Sequence, residues 1–496
     1  WQLCLEGSAI ATIVSSEGKP SQGNGTPEDP FHISTFSNLA WITSNAKHNN
    51  YYYIQTSDIN ASESKSWCDG EGWVPIGENN YLPYCFSGNY NGQGYKIDSL
   101  LIPKVRNSSL FGACEGASIL NLNLTNDNII GSNPAGGISA RAKMSRIENC
   151  KVSGKISGTN VGGICGWTYT SRILNCTNYA EITGTIVGGI VGHNDWSSTL
   201  GDCLNMGQIF GGEYAGGIVG RNRNSSIIGN CTSNGQVNGS EDVGGIVGEC
   251  ISNAKITNCY SESNVLGNKN IGGLIGRASY HSNVENCYTA GDVTGNENIG
   301  GLIGLEYEQN QVKYCYSLGK VTGTKNIGGL VGSGVNERIL CFWDIETSGI
   351  DSSCGGIGKT SDELKNITTY SESGWDFTDT WGIDSLINNG YPYLQWKFPY
   401  VKINDMNIPD KYILNQNYPN PFNPSTTISY EIKEDSHAKL DVYNITGQLV
   451  ETLADEYHQA GAYKVKWNAS NLSSGIYIYC LEYGDKHISR KMLLIK

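Results

Sequence analysis

Sixteen cysteines and seven histidines are the residues of this 496-residue chain best suited to metal binding or nucleophilic chemistry, so their spacing comes first. Eight cysteines recur singly: Cys150, Cys176, Cys203, Cys231, Cys259, Cys287, Cys315 and Cys341. If the recurrences stack, one thiol per unit makes a single-file column with neighbours about one strand spacing, ~4.8 Å, apart. Three chemistries suit such a column: free thiols packed as small apolar groups, disulfides from rung to rung, and thiolate ligation of a metal. Metal fits least, because a column offers no tetrahedral cluster and no Cys-x-x-Cys occurs. Cys68 and Cys85 are a separate candidate disulfide, while the remaining six cysteines have no assignable partner.

The histidines (His32, His48, His193, His281, His437, His458, His487) are scattered, none paired with another at ligand spacing. Neither a Gly-x-Ser-x-Gly elbow between strand and helix nor a phosphate-binding loop is present. Cleavage of a glycosidic bond needs two carboxylates at a defined separation. Asp195, Glu213, Asp242, Glu249 and Glu306 fall on different recurrences and build no evident pair. The expectation is a protein without enzymatic activity, cofactor or metal, with a polysaccharide-degrading β-helix enzyme as the catalytic alternative.

The frame that must position these residues is a glycine period. Gly-Gly pairs begin at Gly136, Gly162, Gly188, Gly216, Gly244, Gly272, Gly300 and Gly328, spaced by 26, 26 and then 28 residues. The unit is clearest in Val284-Glu-Asn-Cys-Tyr-Thr-Ala-Gly-Asp-Val-Thr-Gly-Asn-Glu-Asn-Ile-Gly-Gly-Leu-Ile-Gly304. Short β-branched runs cut by Gly and Asn favour strands and tight corners, and a unit this short buries its apolar face only by stacking on its neighbours. The fold class is all-β: a parallel β-helix or solenoid of 28-residue repeats, right-handed by the rule for parallel crossovers. The glycines are expected to supply left-handed corners and close approach of coils. The column Asn149, Asn175, Asn230, Asn258, Asn286 reads as a corner ladder of side-chain amides. The period does not say which of Leu302 and Ile303 turns inward.

The formal charge is −13 and no basic stripe occurs, which argues against nucleic acid and anionic membranes as partners. No apolar run reaches the ~20 residues of a membrane-spanning helix. The chain opens at Trp1, as expected after removal of a signal peptide.

Beyond Trp396 the glycine period gives way to short alternating strands with turns at Thr446-Gly447, Ala460-Gly461 and Ser474-Gly475, the pattern of a small antiparallel Ig-like β-sandwich. The domains are read as an N-terminal extension (1–24), opening coils (25–134), repeats (135–340), a solenoid cap (341–397), a linker (398–412) and the sandwich (413–496).

Two family resemblances follow. Gly301-Leu-Ile-Gly304 and Gly329-Leu-Val-Gly332 resemble the signature of the GLUG motif. Some solenoids of that family are joined to immunoglobulin-A-cleaving metallopeptidases, but the His-Glu-x-x-His of their zinc site does not occur here. Asn417-Tyr-Pro-Asn-Pro-Phe-Asn-Pro424, Val442-Tyr-Asn-Ile-Thr-Gly-Gln-Leu-Val450, Leu472-Ser-Ser-Gly-Ile-Tyr-Ile-Tyr479 and Lys491-Met-Leu-Leu-Ile-Lys496 closely resemble the type IX secretion sorting domain of the Bacteroidota. That resemblance implies handling by the type IX machinery and an extracellular or outer-surface location.

Function is then sought in what the period leaves free. The segments between coils vary, and stacking turns them into one lateral face carrying Trp167, Tyr169, His193, Trp196, Arg221, Arg223, Arg277, Tyr280, His281 and Tyr307. Aromatic rings beside Asn, Asp and Arg suit contact with surface glycans or proteins; a tolerant exterior loop would look the same. A structural or adhesive surface protein is expected, either self-associating head to tail into a filament or coat through open strand edges, or binding as a monomer.

Overall fold

A computed structural model describes residues 4–6, 9–11, 18–397 and 413–495, apart from 44–45, 71, 78–83, 103–105, 132, 308–309, 335–339, 386, 433–435, 459–460 and 484–485. The chain divides into two compact units, Trp1–Lys397 and Phe398–Lys496. The expected linker, 398–412, lies outside the described residues.

A coil of the first unit is a ring of five short strands. In one coil these are β1 (Lys255–Thr257), β2 (Tyr260–Ser261), β3 (Val265–Leu266), β4 (Lys269–Gly272) and β5 (Ile275–Ser279). Each pairs in parallel with its equivalent in the next coil: Lys255 with Asn283, Tyr260 with Tyr288, Val265 with Val293, Lys269 with Glu297, Ile275 with Ile303. Strands equivalent to β1 form an eleven-stranded parallel sheet and those equivalent to β5 a nine-stranded one, in a solenoid of about nine turns. The change from 26 to 28 residues per coil is made at one corner and one bulge. Tyr169 pairs with Asp195 but Arg172 with Thr199, and a second residue enters within the paired strands, between Gly211 and Tyr214. Beyond the bulge Val187 pairs with Ala215, both buried, so the inward face is recovered.

Ile138, Ile164, Ile190, Ile218, Ile246, Leu274, Leu302 and Leu330 form a fully buried column, and Ile303 is as buried as Leu302. The Gly-Leu-Ile-Gly turn thus gives the core two side chains. Each is worth about 2 kcal/mol on burial, so these columns outweigh the solvent-screened ion pairs between coils, such as Lys325–Glu297 at 2.7 Å.

The glycine pairs act by close approach alone. A Cβ on Gly272 would lie 2.0 Å from the Ile275 carbonyl oxygen, and one on Gly273 2.2 Å from that of Gly301. The left-handed backbone expected at the glycines belongs to the asparagine column instead, where Asn149, Asn175, Asn230, Asn258 and Asn286 have φ between 52 and 56°. Asn tolerates that region better than most residues. Asn175 Nδ2 donates to Asn149 Oδ1 at 2.7 Å, and a second, more buried ladder runs from Asn326 through Asn298 and Asn270 to Asp242 at 2.7–2.8 Å.

All eight column cysteines are free thiols in the core. Those from Cys150 to Cys315 turn Sγ toward a main-chain carbonyl two residues back, as Cys259 does to Thr257 at 3.2 Å. Burial pushes the Cys176, Cys231, Cys287 and Cys315 thiols well above the ordinary thiol range. Cys85 is likewise free and buried, its Sγ 3.9 Å from Glu115 Oε2. Cys68, the partner expected for Cys85 in a bridge, has its side chain outside the described residues.

The closing segment covers the side of the rod as well as its end. Strand Phe342–Asp344 pairs with Tyr316–Ser317 on one side and Ile357–Lys359 on the other. Residues 360–397 then run back over Tyr260, Tyr288 and Tyr316, whose rings stack 5.0 and 5.1 Å apart. Trp381 Nε1 donates to Asn286 Oδ1 at 3.2 Å, Trp396 Nε1 to the Asn258 carbonyl at 2.9 Å, and Lys397 Nζ lies 2.9 Å from Glu262.

The second unit pairs a three-stranded antiparallel sheet (Ile413–Leu414, Ser425–Ile432, Gly461–Asn468) with a four-stranded one (Leu449–His458, Ser436–Asn444, Gly475–Tyr483, Lys486–Leu494). Its motifs hold one another: the Asn417 N–H donates to Tyr479 Oη at 2.9 Å, Tyr479 Oη donates to the Asn415 carbonyl at 2.7 Å, and Phe422 is buried.

Two outcomes are expected. A thiol reagent added to the native protein labels exposed Cys354 and leaves the column cysteines unmodified until denaturant is added; mass spectrometry of the labelled peptides reads this. Gly273→Val, which drives a branched side chain into the next coil's backbone, abolishes the cooperative thermal transition followed by circular dichroism.

Candidate functional site

Strands equivalent to β5 carry one outward residue per coil in strict register: Arg141, Trp167, His193, Arg221, Glu249 and Arg277. They touch in two runs along the rod, Arg141 to His193 and Arg221 to Arg277. The Arg141 guanidinium lies 4.8 Å above the Trp167 ring, and Trp167 stacks on His193 at 4.9 Å with planes 7° apart. Arg221 Nε lies 2.6 Å from Glu249, whose other oxygen binds Arg277, and Arg277 Nε is 3.0 Å from Asp242. Tyr214 supplies a ring face 4.4 Å from Arg221.

The electrostatics of this row are largely closed on themselves. Glu249 is 2% exposed and set between two guanidinium groups, so its charge is compensated in place. Asp242 and Glu249, read from sequence as unpaired, come together through Arg277 because both flank one Gly-Gly bend. Burial pushes the Asp242 carboxyl up to about 6 against the pull of Arg277. His193, expected on the contact face, is buried; burial first, then the Arg223 charge, brings its imidazole down to about 4, so it is neutral at pH 7. Among the described residues no group of three or more His, Cys, Asp or Glu is placed to hold a metal ion.

The exposed part of the expected face is the corner beside this row. Tyr169, Trp196, Tyr280 and Tyr307 are 40–53% exposed, and His281 is exposed with them. Main-chain hydrogen bonds stack the corners coil on coil, Thr170 N to Trp196 O, Ser197 N to Asn224 O and Asn253 N to Tyr280 O. At equivalent places the backbone is left-handed: Asn224, Ser225, Ser252 and Asn253 occupy it, but so do Trp196 (φ 50°), Tyr280 (φ 52°) and His281 (φ 63°). Asp195 props the Trp196 corner, accepting from the Trp196 N–H at 2.9 Å, Asn224 Nδ2 at 2.6 Å and Arg223 at 3.0 Å. At the N-terminal end of the face Cys85, Arg141, Lys143, Trp167 and Tyr169 line a 150 Å³ cleft.

The expected residues thus separate into a closed row (Trp167, His193, Arg221, Arg277) and an open edge (Tyr169, Trp196, Tyr280, His281, Tyr307), with Arg223 bracing between them. Arg141 and Tyr214 were not anticipated. Arg141 follows its Gly-Gly pair at the same offset as Trp167 and His193, and that offset would have revealed it.

Asp242 and His193 titrate in the same window with opposite sign. A carboxyl raised in the folded state binds protons that the unfolded chain has released, so its contribution falls as pH rises from about 4 to about 6. A histidine lowered in the folded state contributes stability that grows as pH rises from about 4 toward 6.5. Relative to wild type, Asp242→Asn therefore gains stability with rising pH across this window and His193→Gln loses it. Each difference reaches at most about 1.4 kcal/mol per pH unit, read from denaturant melts at several pH values.

Comparison with known proteins agrees with the two-part architecture. Residues 211–238 and 267–294 match the GLUG motif, and residues 416–496 match the secretion system C-terminal sorting domain. Halomucin of Haloquadratum walsbyi is 30% identical over 167 residues, which is 32% of this chain and 2% of that protein. Among solved structures an IgA1 protease superposes over 62% of this chain and 22% of its own, with 18% identity and a TM-score of 0.36. The chain spans only a small part of either protein's length. No described helix is long and apolar enough to cross a membrane. The solenoid therefore contains GLUG motifs, and the chain ends in a type IX sorting domain, which marks an exported, cell-surface protein.

Proposed function

We propose that this exported rod is a non-enzymatic adhesin that binds carbohydrate along the exposed corner of its lateral face. The observation that carries the reading is the placement of Trp196 and Tyr280: bulky, half-exposed rings held on left-handed backbone where the equivalent residues of neighbouring coils are Thr170, Asn224 and Ser252. Such a conformation costs roughly 1–2 kcal/mol per residue, and strain of this kind collects at functional positions. Neither ring fills the core, and Trp196 meets only the half-exposed Tyr169 ring, 5.8 Å away, so packing offsets part of that cost at most. Exposed aromatic faces beside Asn, Ser and Arg side chains are what a sugar ring's C–H face and hydroxyls require. The carboxylates of the adjoining row are buried against Arg221, Arg223 and Arg277, which disfavours a glycosidase reading.

Head-to-tail assembly through open edges is less well supported. At the C-terminal end Ile357–Lys359 lies along Phe342–Asp344, the Ser352 carbonyl accepts from the Gly329 N–H, and the Cys354 N–H donates to the Val331 carbonyl. These contacts occupy edges that a second copy would pair with.

The full chain is expected to bind a subset of neutral glycans on an array, and Trp196→Asn/Tyr280→Asn to lose that binding. The same double variant melts at or slightly above the wild-type temperature, because Asn relieves the left-handed backbone, by up to about 1 kcal/mol at each site. Absence of glycan binding by the wild type, or undiminished binding by the variant, overturns the reading.

A further inference from the structure

A different face carries a second site. Residues at the β2 position form a column running Lys96, Asn123, Lys151, Thr177, Leu204, Thr232, Tyr260, Tyr288, Tyr316 and Phe342, coil upon coil. Its C-terminal third is aromatic and covered by residues 360–397. Its N-terminal third is cationic and open: Lys96, Lys151 and, in the adjoining column, Tyr179 are exposed. There the surface sinks into a 360 Å³ groove lined by both lysines, Asn123, Thr125, Ser153 and Tyr179.

The chemistry of this lining is specific. Among the described residues neither Lys96 nor Lys151 forms an ion pair, whereas several other lysines on the rod's flanks, Lys143, Lys155, Lys269 and Lys325, each lie within 4 Å of a carboxylate. In a chain of formal charge −13, two ammonium groups that share one concavity without a carboxylate inside 4 Å stand out, although Asp98 on the Lys96 strand attracts that lysine from farther off. A carboxylate also borders the groove: Asp58 accepts the Lys96 main-chain N–H at 3.0 Å and keeps an oxygen available as a hydroxyl acceptor. Ammonium groups, amide and hydroxyl side chains, one carboxylate and a half-exposed aromatic ring together suit a sugar bearing an anionic group. A bare phosphate or a nucleic acid backbone would use neither the ring nor the carboxylate.

We propose that this groove binds an acidic polysaccharide, seating a carboxylated or sulfated sugar residue between Lys96 and Lys151 with its ring over Tyr179. The site is independent of the aromatic corner on the other face. The two lysines lie on alternate coils, each flanking Asn123 in the paired strands, so an extended glycan chain running along the rod meets both.

The test is affinity electrophoresis of the full chain through gels containing polygalacturonate, dextran sulfate or neutral dextran. Retardation by one or both acidic polymers and not by dextran is expected; polygalacturonate alone assigns the carboxylated class and dextran sulfate alone the sulfated class. Lys96→Gln/Lys151→Gln should weaken the apparent affinity at least tenfold, and Tyr179→Ala several-fold, with melting temperatures unchanged. Trp196→Asn/Tyr280→Asn should leave retardation intact, which separates this site from the corner. No retardation by either acidic polymer, equal retardation by dextran, or retardation that survives the double lysine substitution overturns the proposal.

Discussion

Backbone meeting backbone at the Gly-Gly bends is the constraint on which the rest of the solenoid depends. With only ~2 Å between a notional Cβ and the next coil's carbonyl oxygen, side chains are excluded there, and coils settle at strand spacing. That spacing then decides everything stacked above it. It brings Asn amides into hydrogen-bond reach, sets thiol upon thiol, and puts Trp167 on His193 and Tyr288 on Tyr316 as parallel rings. Repetition makes each column uniform in geometry while leaving its chemistry free to vary from coil to coil.

Variation along columns is where the molecule departs from a bare scaffold. One column changes from lysine and asparagine at one end to stacked tyrosines at the other, and the chain's own closing segment covers only the aromatic end. The β5 column changes from aromatic to ionic within six coils, its charges compensating one another through Arg221, Glu249 and Arg277. A regular core of about 2 kcal/mol per aliphatic rung lets these outer columns diverge without risk to the fold.

Much of this was legible in the residues. The glycine period gave strand stacking, the thiol column and the amide ladder, and the C-terminal motifs gave the sandwich. Three features were not legible, each for a physical reason. Close approach and left-handed backbone both select small residues, so the conformational role was assigned to Gly272 and its equivalents when Asn258 and its equivalents carry it. Leu449–His458 lies at a sheet edge with little buried surface, so its sequence lacks the alternation that marks a strand. The closing segment was read as an end cap, although Tyr260, Tyr288 and Tyr316, aromatic only in the last coils, already signalled a covered flank. At the lateral face the varying residues were recognisable, but which of them remain open was set by stacking partners such as Arg141 and Asp195.

The returning segment also ties the last coils to one another. Lys397, its final described residue, is fastened to Glu262 and lies over Tyr260, three rungs inward from the terminal coil at Phe342. Trp375 meets Phe342 and Tyr316, Trp381 meets Tyr316 and Tyr288, and Trp396 meets Tyr260, so the terminal coils cannot fray one at a time without shedding the segment that crosses them all.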